Sequence, residues 1–194
     1  MWRSKAAIRG LSHQNKWLVA LRVGAETGAT IAFLTALKHM PLANVSAILL
    51  ALPLAVTMAA ALFLGEPVGW RRWSAIIVGF AGVLIVIRPG LEGFNIYSLS
   101  ALVAVAFITL REITTRRLTS DVPSLTVALW TTIGITTFSA LIMAGTEWRA
   151  VGQLSWLLLL GAAVAILFGS LLSVMAMRVG EISFVAPFRY TAMI

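Results

Sequence analysis

The chain has 194 residues, of which 60% are hydrophobic and 11% are charged, and its mean hydropathy is +0.95. Soluble domains carry about 25% charged residues, so this composition predicts an all-α fold, a polytopic transmembrane helical bundle. The chain contains no cysteine, which excludes disulfides, thiolate metal sites and a cysteine nucleophile.

Apolar runs recur at regular spacing along the chain. A helix that crosses the ~30 Å hydrocarbon core needs about 20 mostly apolar residues. The apolar stretches of the third and fourth runs are short, so interfacial residues must complete those two helices. The sequence predicts six complete spans, at 17–37, 42–64, 69–87, 96–115, 122–144 and 153–177, and the start of a seventh from Glu181 to Ile194.

The basic residues indicate how the spans are oriented. The net charge is +8, and residues 1–16 form a basic tail that lacks the apolar core of a signal peptide. With the N-terminus in the cytoplasm, only Lys38, Arg88 and Arg149 of the 15 Lys and Arg residues lie outside. This bias follows the positive-inside rule. It predicts a multi-pass protein of the cytoplasmic (inner) membrane with a cytoplasmic N-terminus, and it argues against nucleic-acid binding.

The stretch "FLGEPVGWRRW", 63–73, separates the second span from the third. Gly65 can end the incoming helix in a left-handed conformation, and Pro67 suits the first turn of the next helix. The two tryptophans are typical of a membrane interface, and the two arginines favour the cytoplasmic side. We interpret the stretch as a topological anchor, with a gating or coupling role of Glu66 as the alternative.

Small residues and a proline predict helix packing and a helix kink. Gly24 and Gly28 are spaced for a close contact between membrane helices, and so are Gly79 and Gly82. Pro53 removes a helix hydrogen bond, so a kink is expected in the second span.

Three stretches of the sequence carry a family resemblance: "FLTALKHMPLANVSAILLALPL", "LGEPVGWRRWSAIIVGFAGVLIVIRPG" and "MAMRVGEISFVAPFRYT". They resemble the EamA-like branch of the drug/metabolite transporter superfamily. The resemblance implies a fold of ten helices in two five-helix repeats of inverted topology, of which this chain contains a part.

Compared with that pattern, the chain begins after the second helix and stops inside the ninth. Residues 17–90 are then the remainder of the first repeat, and residues 91–194 are an incomplete second repeat. An offset of 140 residues places Ala36 on Ala176. Inverted repeats of this kind are typical of secondary transporters.

Catalytic signatures are scarce. The two histidines, His13 and His39, form no His-Glu-x-x-His motif, and the sequence has no Gly-x-Ser-x-Gly elbow and no Walker phosphate loop. The sequence predicts a protein that is not an enzyme and that uses no metal or other cofactor. The expected partners are the lipid bilayer and a small-molecule solute, with proton or ion coupling and a homo-oligomer left open.

Ionisable residues inside the first span are the main candidates for a binding site. Glu26 lies nine residues beyond Trp17, about 13 Å along the helix at ~1.5 Å per residue. Arg22, Glu26 and Thr30 share one face of this helix. Charged groups at such depth usually face a bundle interior or a water-filled path. We predict that Glu26 binds substrate or a proton, with Arg22 or Arg189 as counter-charge. A local Arg22–Glu26 pair that only fixes packing is the alternative.

Two further positions complete the predicted site. Trp130 lies in the middle of the fifth span and could line a cavity or pack against lipid or protein. Arg189 lies eight residues into the seventh span, with Tyr190 beside it.

The resemblance implies a secondary transporter, or a fragment of one, that moves a small organic metabolite by alternating access. Amino-acid, nucleoside-like and vitamin-like solutes are the expected classes. The alternatives are a truncated remnant that does not transport, and a membrane scaffold module.

Overall fold

The computed structural model describes residues 12–87, 96–119, 122–144 and 152–179, and its regular secondary structure over these residues is helical. In chain order the elements are α1 (His13–His39), α2 (Leu42–Leu49), α3 (Leu52–Ala59), a π-helical turn (Ala60–Leu64), α4 (Trp70–Ile87), α5 (Tyr97–Arg117), α6 (Ser124–Met143) and α7 (Gln153–Val179).

Five helical segments of the described residues are long and apolar enough to cross a membrane. They are α1, the segment Leu42–Leu64, α5, α6 and the part of α7 that ends at Ala176. This finding confirms the predicted polytopic helical bundle. α4 forms a helix of 18 residues at the position of the predicted third span but is not among the five, so its crossing of the membrane stays a prediction. The span predicted from Glu181 lies outside the described residues.

The ends of α1 follow from its local sequence. The Ser12 side chain accepts a hydrogen bond from the backbone N–H of Asn15 (3.3 Å) and caps the first turn. After His39 the chain leaves the helix, because Met40 is extended (φ −133°, ψ 147°) as expected for a residue before proline. The 27 residues of α1 reach about 40 Å at ~1.5 Å per residue, which is more than the hydrocarbon core requires.

The second span is interrupted just before Pro53, which lies in the first turn of α3. A proline has no N–H to donate to the preceding turn. The N–H of Leu50 lies between two acceptors, the carbonyls of Ser46 (3.2 Å) and Ala47 (3.3 Å). The interruption of the α-helix between α2 and α3 agrees with the predicted effect of the proline.

The same span ends in the elbow that the sequence predicts. Its last turn, Ala60–Leu64, is π-helical, and Gly65 is left-handed (φ 68°, ψ 23°). The N–H of Glu66 bonds back to the first carbonyl of this turn (3.3 Å). Nη2 of Arg117, at the end of α5, donates to the Phe63 carbonyl (2.8 Å). Gly65 is therefore confirmed as a left-handed helix end.

α1 and α5 form the centre of the bundle, and α1 makes its most extensive contacts with α5. Asn15 Nδ2 donates to Thr119 Oγ1 (2.8 Å) near one end of the pair. Further along, a Cβ added to Gly28 would lie 2.9–3.0 Å from the Phe107 ring. Residue numbers rise along α1 as they fall along α5, so the two helices are antiparallel.

The predicted glycine contacts are found at one member of each pair. Gly28 packs against α5, and Gly79 packs against the Leu54 side chain of α3. No described atom lies within 4 Å of a Cβ added at Gly24 or at Gly82. Of the four glycines in the two predicted pairs, Gly28 and Gly79 therefore make the predicted close helix contacts.

Candidate functional site

A cavity of about 630 Å³ lies between α1, α5, α6 and α7. Its walls differ in chemistry. α1 contributes Arg22 and Glu26, and α5 contributes Arg111, so one side is charged. α7 contributes mostly apolar groups, among them Ile166 and Leu167. The cavity therefore joins a charged wall to an apolar wall inside a membrane-spanning bundle.

The charged wall is an ion-pair network centred on Arg111. Nη1 of Arg111 donates to both carboxylate oxygens of Glu26, at 2.7 Å and 2.9 Å. Nη2 of Arg111 donates to Oε1 of Glu112 at 2.6 Å. The Glu112 side chain is 3% exposed, and that of Glu26 is 20% exposed. One guanidinium therefore neutralises a fully buried carboxylate and orients a second one at the cavity.

Arg22 occupies a different position in this network. Its Nη1 lies 3.8 Å from Oε2 of Glu26, which is an ion pair but is too long for a hydrogen bond. The Arg22 side chain is only 4% exposed. Nε and Nη1 of Arg22 are buried without a hydrogen-bond acceptor in the part of the chain that the structure describes. Arg22 thus lines the cavity as a buried cation, and two of its nitrogen atoms have no described acceptor.

The depth of these groups follows from helix geometry. Glu26 is the middle residue of α1, about 20 Å from either end at ~1.5 Å per residue. Arg111 lies 14 residues after the start of α5 and reaches the same level because the two helices are antiparallel. Ionisable groups near the centre of a membrane-spanning helix are costly there, and they usually pair with one another or face a water-filled cavity. Here the charged groups pair with one another, and Arg22, Glu26 and Arg111 also line the cavity.

The predicted site residues separate into three groups. Arg22 and Glu26 both line the cavity, and their ion pair exists, although the short contacts of Glu26 are made with Arg111. Thr30 donates to the Glu26 carbonyl (2.9 Å) and lines a separate cavity of about 190 Å³ between α1 and α6.

Trp130 is half-buried and packs against a hydrophobic cluster instead of lining the charged cavity. Arg189 and Tyr190 lie outside the described residues.

Sequence analysis missed two members of the network, Arg111 and Glu112. The signal was present, because adjacent opposite charges occur there inside an otherwise apolar span. Arg111 was counted with the basic residues of the cytoplasmic side, although it lies within the helix. Its pairing with Glu26 depends on the register between α1 and α5, which the sequence of a single helix does not contain. Among the described residues, no group of three or more His, Asp or Glu side chains could hold a metal ion.

These observations define a class: a multi-pass helical membrane protein with a paired-charge cavity at the middle of its bundle. Comparison with known proteins gives the family. Residues 2–88 match the EamA-like transporter family, which confirms the resemblance found in the sequence.

The relatives are named as transporters. The chain is 36% identical over 144 residues to a riboflavin transporter of Vibrio cholerae, covering 73% of this chain and 48% of that protein. It is 25% identical over 160 residues to an S-adenosylmethionine uptake transporter of Rickettsia bellii, covering 81% of this chain and 54% of that protein. A riboflavin transporter of Brucella anthropi is 32% identical over 111 residues, covering 57% of this chain and 39% of that protein.

The chain spans about half the length of the curated relatives that it matches. No solved structure matches it significantly.

Proposed function

We propose that this chain is a secondary transporter, or a part of one, that moves a small organic metabolite across the cytoplasmic membrane by alternating access. The observation that carries the proposal is the cavity lined by Arg22, Glu26 and Arg111 near the middle of the bundle. Secondary transporters bind their solutes near the bilayer midplane, between helices of the two repeats.

The size and polarity of the cavity suit a small solute. Ligand sites usually occupy about 300–1,000 Å³ and combine apolar walls with a few polar groups that orient the ligand. A cavity of about 630 Å³ lies within that range. Hydroxyl groups of Thr131, Thr132 and Ser170 add neutral polar atoms to the charged wall.

The names of the relatives support a solute class. Riboflavin and S-adenosylmethionine, the solutes in those names, both contain a flat nitrogen heterocycle that is attached to a polar chain. An apolar wall on α7 suits the heterocycle, and the charged wall on α1 and α5 suits the polar chain. A nucleoside-like or vitamin-like solute is therefore the proposed class.

Glu26 is the proposed centre of coupling. It is the carboxylate that both lines the cavity and contacts two cations, Arg22 and Arg111. A proton or an ion that changes the charge of this carboxylate would alter its attraction to both cations, and with it the packing of α1 against α5. The proposed orientation has the N-terminus in the cytoplasm.

Uptake into proteoliposomes tests the proposal. The purified chain is reconstituted, and the entry of radiolabelled riboflavin and S-adenosylmethionine is measured beside Glu26→Gln and the control Lys38→Met, which removes an exposed charge at the end of α1. We expect saturable uptake that Glu26→Gln abolishes and Lys38→Met preserves. Unchanged uptake by a folded Glu26→Gln variant would refute the role of Glu26.

Two other outcomes separate the alternatives. Binding of either solute without uptake, lost in Glu26→Gln, would favour a solute-binding chain that does not transport alone. Neither binding nor uptake of either solute would contradict the proposed solute class.

A further inference from the structure

We infer that Arg22 binds an anionic group of the solute, a carboxylate or a phosphate ester, at the charged wall of the cavity. This inference rests on the proposed function and reverses the roles that the sequence suggested. Glu26 was expected to contact the solute with Arg22 as its counter-charge. In the structure the hydrogen bonds of Glu26 go to Arg111, and Arg22 has donors left over.

The carboxylates of the network are already committed. Arg111 holds both oxygens of Glu26 and one oxygen of Glu112 through hydrogen bonds of 2.6–2.9 Å. A cationic group of a solute would therefore have to compete with a buried guanidinium for either carboxylate. Charge-assisted, bidentate pairs of this kind are among the strongest polar contacts in proteins. A cationic ligand would thus meet carboxylates that already hold a cation.

The situation of Arg22 is the opposite. Nearly all buried polar groups in proteins have a hydrogen-bond partner, so an exception needs an explanation. Among the described residues the Nε and Nη1 atoms of Arg22 have none, and the ion pair of Arg22 with Glu26 is 3.8 Å long. An arginine keeps its positive charge and presents donors in a planar arrangement that matches oxyanions. A ligand oxyanion would supply the missing acceptors.

The position of Arg22 permits such a contact. Arg22 lines the cavity together with Glu26 and Arg111. Ile166 and Leu167 lie among the apolar residues of the opposite wall. A solute with an anionic end and a flat apolar end therefore has a place for each.

A matched pair of ligands tests the inference. Carboxymethylflavin and its amide share the same ring and nearly the same size, and they differ by one negative charge. Their affinities are measured by flavin fluorescence with the purified 194-residue chain in a neutral detergent. We expect the acid to bind about tenfold more tightly than the amide, a factor that corresponds to about 1.4 kcal/mol.

Substitutions then identify the residue responsible. Arg22→Gln should reduce the acid-to-amide ratio to about one, whereas Arg22→Lys should keep part of the preference. The control is Arg71→Gln, which removes an exposed arginine that stacks on Trp70 and should leave the ratio unaltered. Gel filtration and circular dichroism verify folding. A ratio that is the same in Arg22→Gln, or an amide that binds as well as the acid, would overturn the inference.

Two further measurements distinguish a failure of this inference from a failure of the proposed function. If neither flavin binds, the unfolding temperature of the chain is measured with acetate or inorganic phosphate as the added anion. A rise in the unfolding temperature that is absent in Arg22→Gln supports the anion site and contradicts a flavin-like solute; no rise overturns the site. Competition with phosphatidylglycerol, but not phosphatidylcholine, would assign the anion to a lipid headgroup instead of a dissolved solute.

Discussion

α1 and α7 invite comparison, because both contain 27 residues and the offset of 140 places them at matching positions of the two predicted repeats. In α1, 33% of the most apolar window is buried within the protein; in α7 the figure is 6%. α1 carries Arg22 and Glu26 near its middle, whereas the one charged residue of α7 is Arg178, next to its last residue.

The difference shows how charge decides the place of a helix in a membrane bundle. A charged helix centre must be covered by protein or by a polar cavity, so α1 lies between α5 and α6. An apolar helix has no such requirement, because lipid tails are as apolar as leucine. α7 can therefore expose most of its surface, including Leu157 (67% exposed) and Leu160 (60%).

The same comparison explains the asymmetry of the cavity. With the offset of 140, Arg22 corresponds to Ala162 and Glu26 to Ile166. The two helices match in length under this offset but present different chemistry to one cavity.

The largest expected effect is an all-or-none difference in cysteine labelling, which reports the membrane orientation of α1 and α7. If α1 and α7 belong to inverted repeats, α1 begins in the cytoplasm and α7 begins outside. The chain has no cysteine of its own, so single cysteines can replace Ser4 before α1 and Thr146 before α7. An impermeant maleimide on intact cells should label Thr146→Cys and not Ser4→Cys, and both should react after lysis. Labelling of Ser4→Cys alone would reverse the orientation.

The next largest effect is the loss of stability that follows when the ion pairs of Arg111 are removed. Arg111→Met leaves Glu26 and the buried Glu112 without their shared cation. Removal of one partner from a buried ion pair costs roughly 3–5 kcal/mol, so denaturation in detergent should show a loss of that order. The control Lys38→Met removes an exposed charge and should change stability by less than about 0.5 kcal/mol.

A triple variant tests the cause of that loss. Adding Glu26→Gln and Glu112→Gln to Arg111→Met removes the uncompensated carboxylates and should restore a large part of the stability. If the triple variant is no more stable than Arg111→Met, lost packing and not buried charge explains the effect.

The sequence predicted much of the fold and a smaller part of the site. Hydrophobic runs located the helices to within a few residues, because the length of a span is set by the bilayer. Gly65 and Pro53 located the helix end and the interruption, because each has a local backbone preference. The pairing of Arg111 with Glu26 was not predicted, since it depends on how α5 is placed beside α1. For Trp130 the sequence left a cavity position and a packed position open for the same reason: the period of its helix does not tell which neighbour it meets.

The smallest expected effect uses a matched pair of alanines at corresponding positions of α1 and α7. Ala36 is fully buried in the cluster formed with Val45 and Ala101, whereas Ala176 is exposed. Ala36→Leu inserts extra methylenes into a packed interface and should destabilise the chain by about 1–3 kcal/mol. Ala176→Leu makes the same change on an exposed surface and should stay within about 0.5 kcal/mol. Unfolding midpoints in detergent compare the two variants under one condition. Equal losses would show that α7 is packed as closely as α1 and would contradict the difference in burial between the two helices.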